Sequence, residues 1–527
     1  MALVLIGFMG AGKSTIARRL ARARHTEAGD SDTMLAERFG HSVAAEFELH
    51  GEQAFRQAEE ELVRGLLAEA GPREVIALGG GSVLSKRTRD ALADHLVALV
   101  DIDVQLAWER VQAENEGSDR PLARDRDAFG LLYDERRELY LGLADARLLW
   151  AESASGEYPV LVGRGLLGAG RDGGLGAGLL SAWPLDPASS RPCCVTDTNV
   201  AGLYGQRLGG LETAGTDSPS VISQPQTRPP IAIEAGEEHK TLAGAERVWR
   251  ELVRRQMTRA DHVVALGGGV VGDLAGFCAA TYQRGMPVVH LPTTLVAQVD
   301  SAYGGKTGVD LPNAKNYVGA YHQPAGVIAD PDTLATLPSA ELASGWVEVL
   351  KTALIAGGPL WERVGRMEGC EVDEDVICEC AATKLQVVRE DERDGGRRQV
   401  LNLGHTVGHA IETATGYRGY RHGEAVGLGL LAALRLSGAA ELRGQVKEML
   451  EARGLPVSLD GGGADRGADR SPLVGADAIV LATARDKKRL GREAVPFVLA
   501  HAPGEVEIGG QVAESELRAA IEELMPA

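Results

Sequence analysis

Short apolar runs alternate with helical periodicity through the first part of the chain. Residues 3–6 (LVLI), 75–78 (VIAL) and 96–100 (LVALV) have the length of buried strands. The stretches between them, such as STIARRLARA after a glycine-rich turn, repeat apolar residues at helical spacing. This alternation predicts an α/β fold built on a parallel sheet. Residues 133–150 (YDERRELYLGLADARLLW) read as helix passing into strand, and the small polar stretch 151–157 (AESASGE) reads as a linker. A second α/β run begins at 158–167 (YPVLVGRGLL). Segments 168–192 and 214–230 read as loops, and CCVTDTNV (193–200) as a strand ending in a turn. HVVALGGGVVGDLAGF (262–277) reads as strand, glycine turn and helix, and VVHLPTT (288–294) as strand and turn. From about residue 333 to 455 helical patterns dominate, followed by a low-complexity surface loop over 457–476. No repeat period of roughly 20–50 residues is visible, which excludes a solenoid. No window of about 18 residues is free of charges and breakers, as a membrane span requires.

The chain has 527 residues, enough for three or four folding units at roughly 150 residues each. Acidic residues number 74 and basic residues 55, a net charge of −19, which argues against nucleic-acid or anionic-membrane binding. An anionic substrate must therefore be held by basic residues gathered locally. Aromatic residues make up only 4%, too few for a base-stacking surface. The cysteines are too sparse for a disulfide scaffold. Cys193 and Cys194 are adjacent, while Cys370, Cys378 and Cys380 lack a partner motif and read as reduced thiols. The N-terminal MALVLIGFMGAGKST has no basic n-region and no cleavage site, so a soluble cytoplasmic protein is expected.

Residues 7–14 (GFMGAGKS) fit G-x-x-x-x-G-K-[ST], after a strand and opening a helix. Glycines let backbone N–H groups turn toward phosphate oxygens, and the helix presents its positive end to them. Lys13 would neutralise the β/γ-phosphates and Ser14 would ligate magnesium. Asp30 and Asp32 can hold a magnesium water and a substrate hydroxyl. Arg56, Gly79–Gly81, Arg120 in a polar loop (112–127) and Arg136 complete a constellation whose arginines would singly be surface charges. Together GFMGAGKST, DSD, GEQAFR, LGGGSVL, RPL (120–122) and ERRELY (135–140) resemble shikimate kinase over residues 1–140. The resemblance implies transfer of phosphoryl from ATP to the 3-hydroxyl of shikimate. It puts Gly10, Gly12, Lys13, Ser14, Thr15, Asp30 and Arg120 on ATP and Mg2+, with Arg120 as the lid arginine. Asp32, Arg56, Gly80 and Arg136 go to shikimate, with the two arginines gripping its carboxylate bidentately. Lys13, Asp32 and Arg120 would be the catalytic groups. The family usually ends in a further helix. Here a second domain begins almost at once, so the neighbour is expected to complete the fold or the nucleotide site to be weakened.

Gly267–Asp273 (GGGVVGD) is not a clean G-x-G-x-x-G fingerprint, but its strand-to-helix turn suits a dinucleotide pyrophosphate. GGKTGVDLPNAKN (304–316) is a basic, glycine-rich loop suited to an anion. Glu348 and Lys351 share a helix face, as do His405 and His409, and His422 follows. One glutamate and two histidines suit a catalytic zinc with an open position, and satisfied core histidines are the alternative. Thr406 stands where H-E-x-x-H needs glutamate, which disfavours a zincin protease. TDTNV, GEEHKTL, GGGVVGDLAGF, PTTLVAQVDSAYGGKTGVD, AKN, EVLK, NLGHTVGHAIE, HGEAV and DKK (486–488) resemble 3-dehydroquinate synthase over roughly 157–527.

That resemblance implies zinc, or cobalt in its place, on Glu348, His405 and His422. NAD would be held by Asp197, Asn199, Glu237, Lys240, Gly269, Asp273, Thr293, Thr294, Lys306 and Lys315. The substrate 3-deoxy-D-arabino-heptulosonate 7-phosphate would meet Asp300, Lys306, Lys315, Asn316, Lys351, Lys384, Arg398, Asn402 and His409. Lys306, Lys351, Arg398 and His409 would be catalytic, His409 moving a proton. Arg284 would reach the substrate across a homodimer interface formed by the synthase half. The implied fold is a P-loop α/β kinase domain (1–153), a Rossmann-like NAD-binding domain (157–332) and a mostly helical metal-binding domain (333–527). Alternatives are another sugar-phosphate cyclase or a metal-dependent polyol dehydrogenase in the second half, or one half serving only as a binding or oligomerisation module.

Overall fold

The N-terminal apolar run forms β1 (Leu3–Ile6), buried at every position. Strands covered on both faces lose the polar/apolar alternation, which is why these runs read as continuously apolar. The computed structural model describes residues 1–115, 125–168, 177–186, 188–205, 229–312, 314–460, 474–489 and 496–526. Within them follow β2 (Ala28–Asp30), β3 (Val75–Ala77), β4 (Leu96–Leu99), β5 (Ala146–Ser153), β6 (Gly156–Val162), β7 (Pro192–Asp197), β8 (Ile231–Ile233), β9 (His262–Gly267), β10 (Val288–Pro292), β11 (Lys306–Leu311), β12 (Ala314–Tyr321) and β13 (Gly326–Ala329). An 11-stranded sheet has the order β2-β3-β1-β4-β5-β6-β13-β10-β9-β7-β8, and β11 pairs with β12 separately. β1 runs parallel to β3 and β4, β4 to β5, β6 to β13, and β7 to β8 and β9.

The expected linker at 151–157 is corrected here. β5 extends through Ser153 and β6 starts at Gly156, so the chain stays in the sheet across this stretch. So short a connection between sheet neighbours permits only an antiparallel hairpin. The expected loop 168–192 holds a helix (Ala177–Ala182), whose Leu179 and Ala182 are buried beside Trp183. The turn expected at the end of 193–200 begins a helix, Thr198–Tyr204, capped by the Asp197 carboxylate.

The chain divides into two compact units. The first comprises Met1–Ala151, Glu157–Leu291 and Thr307–Asp332. Its main core is continuous from Leu3 and Val97 through Leu161 and Trp183 to Val264, Val289 and Ile328. The second comprises Glu152–Gly156, Pro292–Lys306 and Thr333–Ala527. Helices Ser339–Ala356, Glu374–Glu390, His405–Ala414 and His422–Leu436 make its centre, and it also carries an unexpected antiparallel hairpin, β14 (Phe497–Ala502) and β15 (Glu505–Gly510). Among the described residues no helix is long and apolar enough to cross a membrane.

Candidate active sites

The first site grows from the turn between β1 and helix Lys13–Ala23. Gly10 and Gly12 have φ of 80° and 88°, and a Cβ at Gly10 would lie 2.8 Å from the Ala107 carbonyl oxygen. The loop thus needs glycine for both conformation and space. The helix has no side-chain cap, so its first N–H groups are available to an anion. Lys13 Nζ donates to the Gly7 and Phe8 carbonyls at 2.9 and 3.1 Å, holding the ammonium over the loop, while Ser14 and Thr15 are exposed. Arg110 Nη1 donates to Gly10 O at 3.3 Å; sequence reasoning missed this residue.

Beside this loop, Asp30 caps the next helix by accepting from Thr33 N at 2.9 Å. Asp32 lies against Gly79, where an added Cβ would meet its Oδ1 at 2.4 Å. Arg56 crosses the glycine turn: a Cβ at Gly81 would be 2.1 Å from its Nη1. Glu59, buried and one turn along the same helix, accepts from Arg56 Nη1 and from Ser82 Oγ, each at 2.7 Å. Tyr140 Oη donates to Gly80 O at 2.5 Å and interacts with the buried Arg136, while burial pushes its phenol up to about 12. Asp32, Arg56, Gly80 and Arg136 are thereby brought to one glycine turn. Glu59 and Tyr140 were missed; their i,i+3 and i,i+4 spacing from Arg56 and Arg136 was the only available signal. Arg120 lies outside the described residues.

A second group surrounds Lys240 in the same unit. Its buried Nζ lies 2.8 Å from Glu237 Oε1, 3.2 Å from Asp273 Oδ2, 2.7 Å from Asn316 Oδ1 and 3.9 Å from Asp310 Oδ1. Burial pulls this ammonium down, but the surrounding carboxylates outweigh it, and its pKa lies above the ordinary lysine value. Glu237 opposes burial through Lys240 and through Lys315, 3.6 Å away, and is held below the usual carboxylate range. Asn316, expected at the substrate, accepts this hydrogen bond from Lys240. Gly269 opens the helix Gly269–Thr281 with no side-chain cap, a second anion-ready helix start. The Asp197 carboxylate accepts from Asn199 N and Val200 N, both at 2.9 Å. Arg284 is exposed with φ 70°.

The third group lies in the second unit, which also contains Thr293, Thr294 and Lys306. Glu348, fully buried on helix Ser339–Ala356, faces His422 Nε2 at 3.4 Å and His405 Nε2 at 3.7 Å from its Oε1. Lys351 Nζ pairs with Glu348 Oε2 at 2.5 Å, which leaves Oε1 directed at the two imidazoles. A buried carboxylate oxygen converging with two imidazole nitrogens fits a divalent cation. One ligand atom from each of Glu348, His405 and His422 lies within 4.8 Å of the others. Burial and Lys351 take His405 down to about 3, leaving it a neutral donor. Burial lowers His422 too, but the Glu348 and Glu412 carboxylates prevail and raise it to about 10, so loading an ion must expel that proton.

Asp300 sits in a single π-helical turn, Ala297–Ser301, a distortion frequent at functional sites. It pairs with Lys384 at 2.7 Å and Lys351 at 3.9 Å, and these ammoniums outweigh burial and hold it near 2. Lys306 reaches Asp394 at 2.7 Å. His409 is exposed, its ring centroid 5.2 Å from that of His405. Asn402 ends the turn Arg397–Asn402. Arg398, expected to hold substrate, is buried, and its terminal nitrogens donate to the Gly304 and Glu392 carbonyls.

Residues 9–157 match the shikimate kinase family model, while 230–344 and 345–489 match the N- and C-terminal models of 3-dehydroquinate synthase. A 3-dehydroquinate synthase of Symbiobacterium thermophilum is 40% identical over 382 residues, covering 70% of this chain and 98% of that protein. One of Caulobacter vibrioides is 40% identical over 343 residues, covering 62% and 88%. ValA, a 2-epi-5-epi-valiolone synthase of Streptomyces hygroscopicus solved with NAD+ and Zn2+ bound, is 26% identical with a TM-score of 0.56, covering 71% of this chain and 99% of its own. A 2-deoxy-scyllo-inosose synthase solved with carbaglucose-6-phosphate, NAD+ and Co2+ shares the fold at 22% identity and TM-score 0.58, covering 72% and 100%.

Fold, sites and relatives define a two-headed enzyme, a P-loop kinase followed by a lyase-type cyclase. The chain belongs to the 3-dehydroquinate synthase family and carries a shikimate kinase domain ahead of it. Its place is in the shikimate pathway.

Proposed function

We propose that residues 1–153 phosphorylate the 3-hydroxyl of shikimate, and that residues 157–332 and 333–527 supply the NAD- and metal-binding parts that cyclise 3-deoxy-D-arabino-heptulosonate 7-phosphate to 3-dehydroquinate. The observation that carries the second activity is the buried Glu348 carboxylate, whose Oε1 is shared between His405 and His422.

In the kinase, the Gly10–Thr15 turn and Lys13 hold the ATP phosphates, with Mg2+ on Ser14 and a water oriented by Asp30. Arg56 and Arg136 grip the shikimate carboxylate, with Glu59 fixing the Arg56 fork. Asp32 orients the 3-hydroxyl, Arg110 and Arg120 belong to the nucleotide side, and catalysis is mostly positioning and charge stabilisation.

In the synthase, Lys240, Glu237 and Asp273 form a charged cradle at the NAD side together with Asp197, Asn199, Gly269 and Lys315, and Asn316, bonded to Lys240, goes to the substrate. Thr293, Thr294 and Lys306 are carried over to the same cofactor from the family. When bound, zinc or cobalt supplies Lewis acidity toward a substrate hydroxyl, and NAD accepts and returns a hydride. Glu348, His405 and His422 hold the ion. Lys351 and Lys384, fixed by Asp300, place ammonium groups toward the phosphate and carboxylate with Lys306, Arg398 and Asn402, and Arg398 also bonds the Gly304 carbonyl. His409, beside the ligands and open to solvent, moves a proton. A cytoplasmic homodimer, formed through the synthase half with Arg284 at its interface, completes the proposal.

The test is a two-substrate assay on the full chain: ADP formation with ATP and shikimate, and phosphate release from the heptulosonate phosphate. Lys13→Ala should lower ADP formation by about 10²–10³-fold or more, as for loss of one transition-state donor, and spare phosphate release. His405→Ala should abolish phosphate release and spare ADP formation. Loss of both activities in a folded variant would refute two independent sites.

A further inference from the structure

Helix His405–Ala414 carries His405, His409 and Glu412 at spacings of four and three, which puts them on one face. Glu412 is buried, and taking a carboxylate out of water requires a polar partner. It faces His422, the first residue of helix His422–Leu436. His422 directs its two nitrogens to different carboxylates: Nε2 lies 3.4 Å from Glu348 Oε1, and Nδ1 lies 3.6 Å from Glu412 Oε1. His409, Glu412 and His422 also offer atoms within 4.8 Å of one another, so the cluster has two possible uses. It could seat a second cation, or it could orient the ligand of the first. A neutral imidazole ligates through one nitrogen and carries its proton on the other. Serving a cation on each side would require His422 to become an anion. With Nε2 committed to the Glu348 side, Nδ1 carries the proton, and its acceptor is Glu412.

We propose that Glu412 is a positioning residue for the metal centre, accepting the Nδ1–H of His422 and so fixing the tautomer and orientation in which Nε2 faces the ion. This rests on the reading of Glu348, His405 and His422 as metal ligands. Carboxylates behind ligating histidines are a general means of orienting the ring and raising its basicity.

The test uses the full-length chain stripped of metal and titrated with Zn2+ alone against a chromophoric chelator, and separately with Co2+. Wild type should bind a single zinc. Glu412→Ala should bind it about 10–100-fold more weakly. Glu412→Gln, nearly isosteric and still offering an oxygen to Nδ1–H, should recover most of that loss. The visible Co2+ bands should shift in Glu412→Ala and stay close to wild type in Glu412→Gln. Wild-type affinity and cobalt bands in Glu412→Ala would overturn the proposal, and so would Glu412→Gln binding as weakly as Glu412→Ala. A second zinc equivalent in wild type that Glu412→Ala loses would overturn it in favour of a second ion. If wild type binds no zinc, or Glu348→Gln binds it undiminished, the underlying metal reading falls as well. Should Glu412→Ala not fold, Glu412→Asp, which keeps the carboxylate but withdraws it from Nδ1, takes its place with the same expected weakening.

Discussion

His262 opens β9 with no solvent exposure, and burial takes its pKa down to about 3. Trp183 Nε1 donates to its Nε2 at 3.2 Å, so the ring proton sits on Nδ1, 2.8 Å from Ser190 Oγ. A second proton would break the Trp183 bond and bury a charge. The unfolded chain protonates this residue near pH 6.5, the folded chain only near 3, so its share of stability is complete above about pH 6.5 and falls as the pH drops toward 3. Between pH 7 and 5 that share amounts to about 2 kcal/mol. Urea unfolding should show wild type losing about 2 kcal/mol more over this interval than His262→Gln, and parallel losses would exclude His262 as the cause. Groups that announce themselves by spacing within one segment, such as Lys13 or the His405/His409/His422 set, were legible in the sequence. Their partners were not. Glu59, Tyr140 and Glu412 share a helical spacing with Arg56, Arg136 and His409, but the distant segments that fold against them, like the Gly10 turn against Arg110, are not encoded in any local pattern. Arg398 was legible as a cation, but its use on carbonyls could be seen only once the Gly304 loop lay beside it.

The metal-site residues stand on three helices whose spacing is set by glycines. A Cβ at Gly429 would lie 2.0 Å from Gly404 O, and one at Gly423 would lie 1.9 Å from Ser344 O. Gly404 directly precedes His405, Gly423 directly follows His422, and Ser344 is one turn before Glu348. Gly429 lies inside its helix, where glycine costs stability relative to alanine, whereas Gly404 is a left-handed cap and Gly423 stands in a first turn. The packed structure supplies the reason to keep them. Gly429→Ala must push helix His422–Leu436 away from helix His405–Ala414. Overpacking of this kind costs about 1–3 kcal/mol, and here it should also weaken zinc binding, because His405 and His422 ride on the two separated helices. Chelator competition combined with denaturant unfolding checks both effects; a destabilised variant with undiminished zinc affinity would show that the ligands do not depend on this contact. Strands and helices with strong periodicity were read correctly. The short helix Ala177–Ala182 and the β5–β6 hairpin were not, because glycine-rich and small polar residues signal loops unless neighbouring strands supply pairing partners.

That hairpin changes what the fusion means physically. β5 pairs in parallel with β4 through Ala98↔Ala146 and Leu99↔Arg147, and its other neighbour is β6. β5, the last strand lying wholly within the shikimate kinase match, is therefore flanked by β6, which runs on beyond that match in the same sheet. The core is shared as well: Leu148 belongs to the same apolar cluster as Leu161 and Trp183. Polar contacts reinforce the join, with buried Arg24 Nη2 donating to Ser181 O at 2.7 Å, Ser181 Oγ donating to Met1 O at 2.9 Å, and Arg73 pairing with Asp186 at 2.7 Å. Two segments joined by a sheet and one core unfold together, whereas segments joined by a flexible linker unfold apart. A ligand that binds only the folded state stabilises everything that unfolds with its site, by about 2.7 kcal/mol at a hundred times its Kd. Shikimate with a non-hydrolysable ATP analogue, and NAD added separately, should therefore raise the same calorimetric transition of the full chain. Two transitions, each answering only its own ligand, would show that the shared strand does not couple the kinase to the nucleotide-binding part of the synthase.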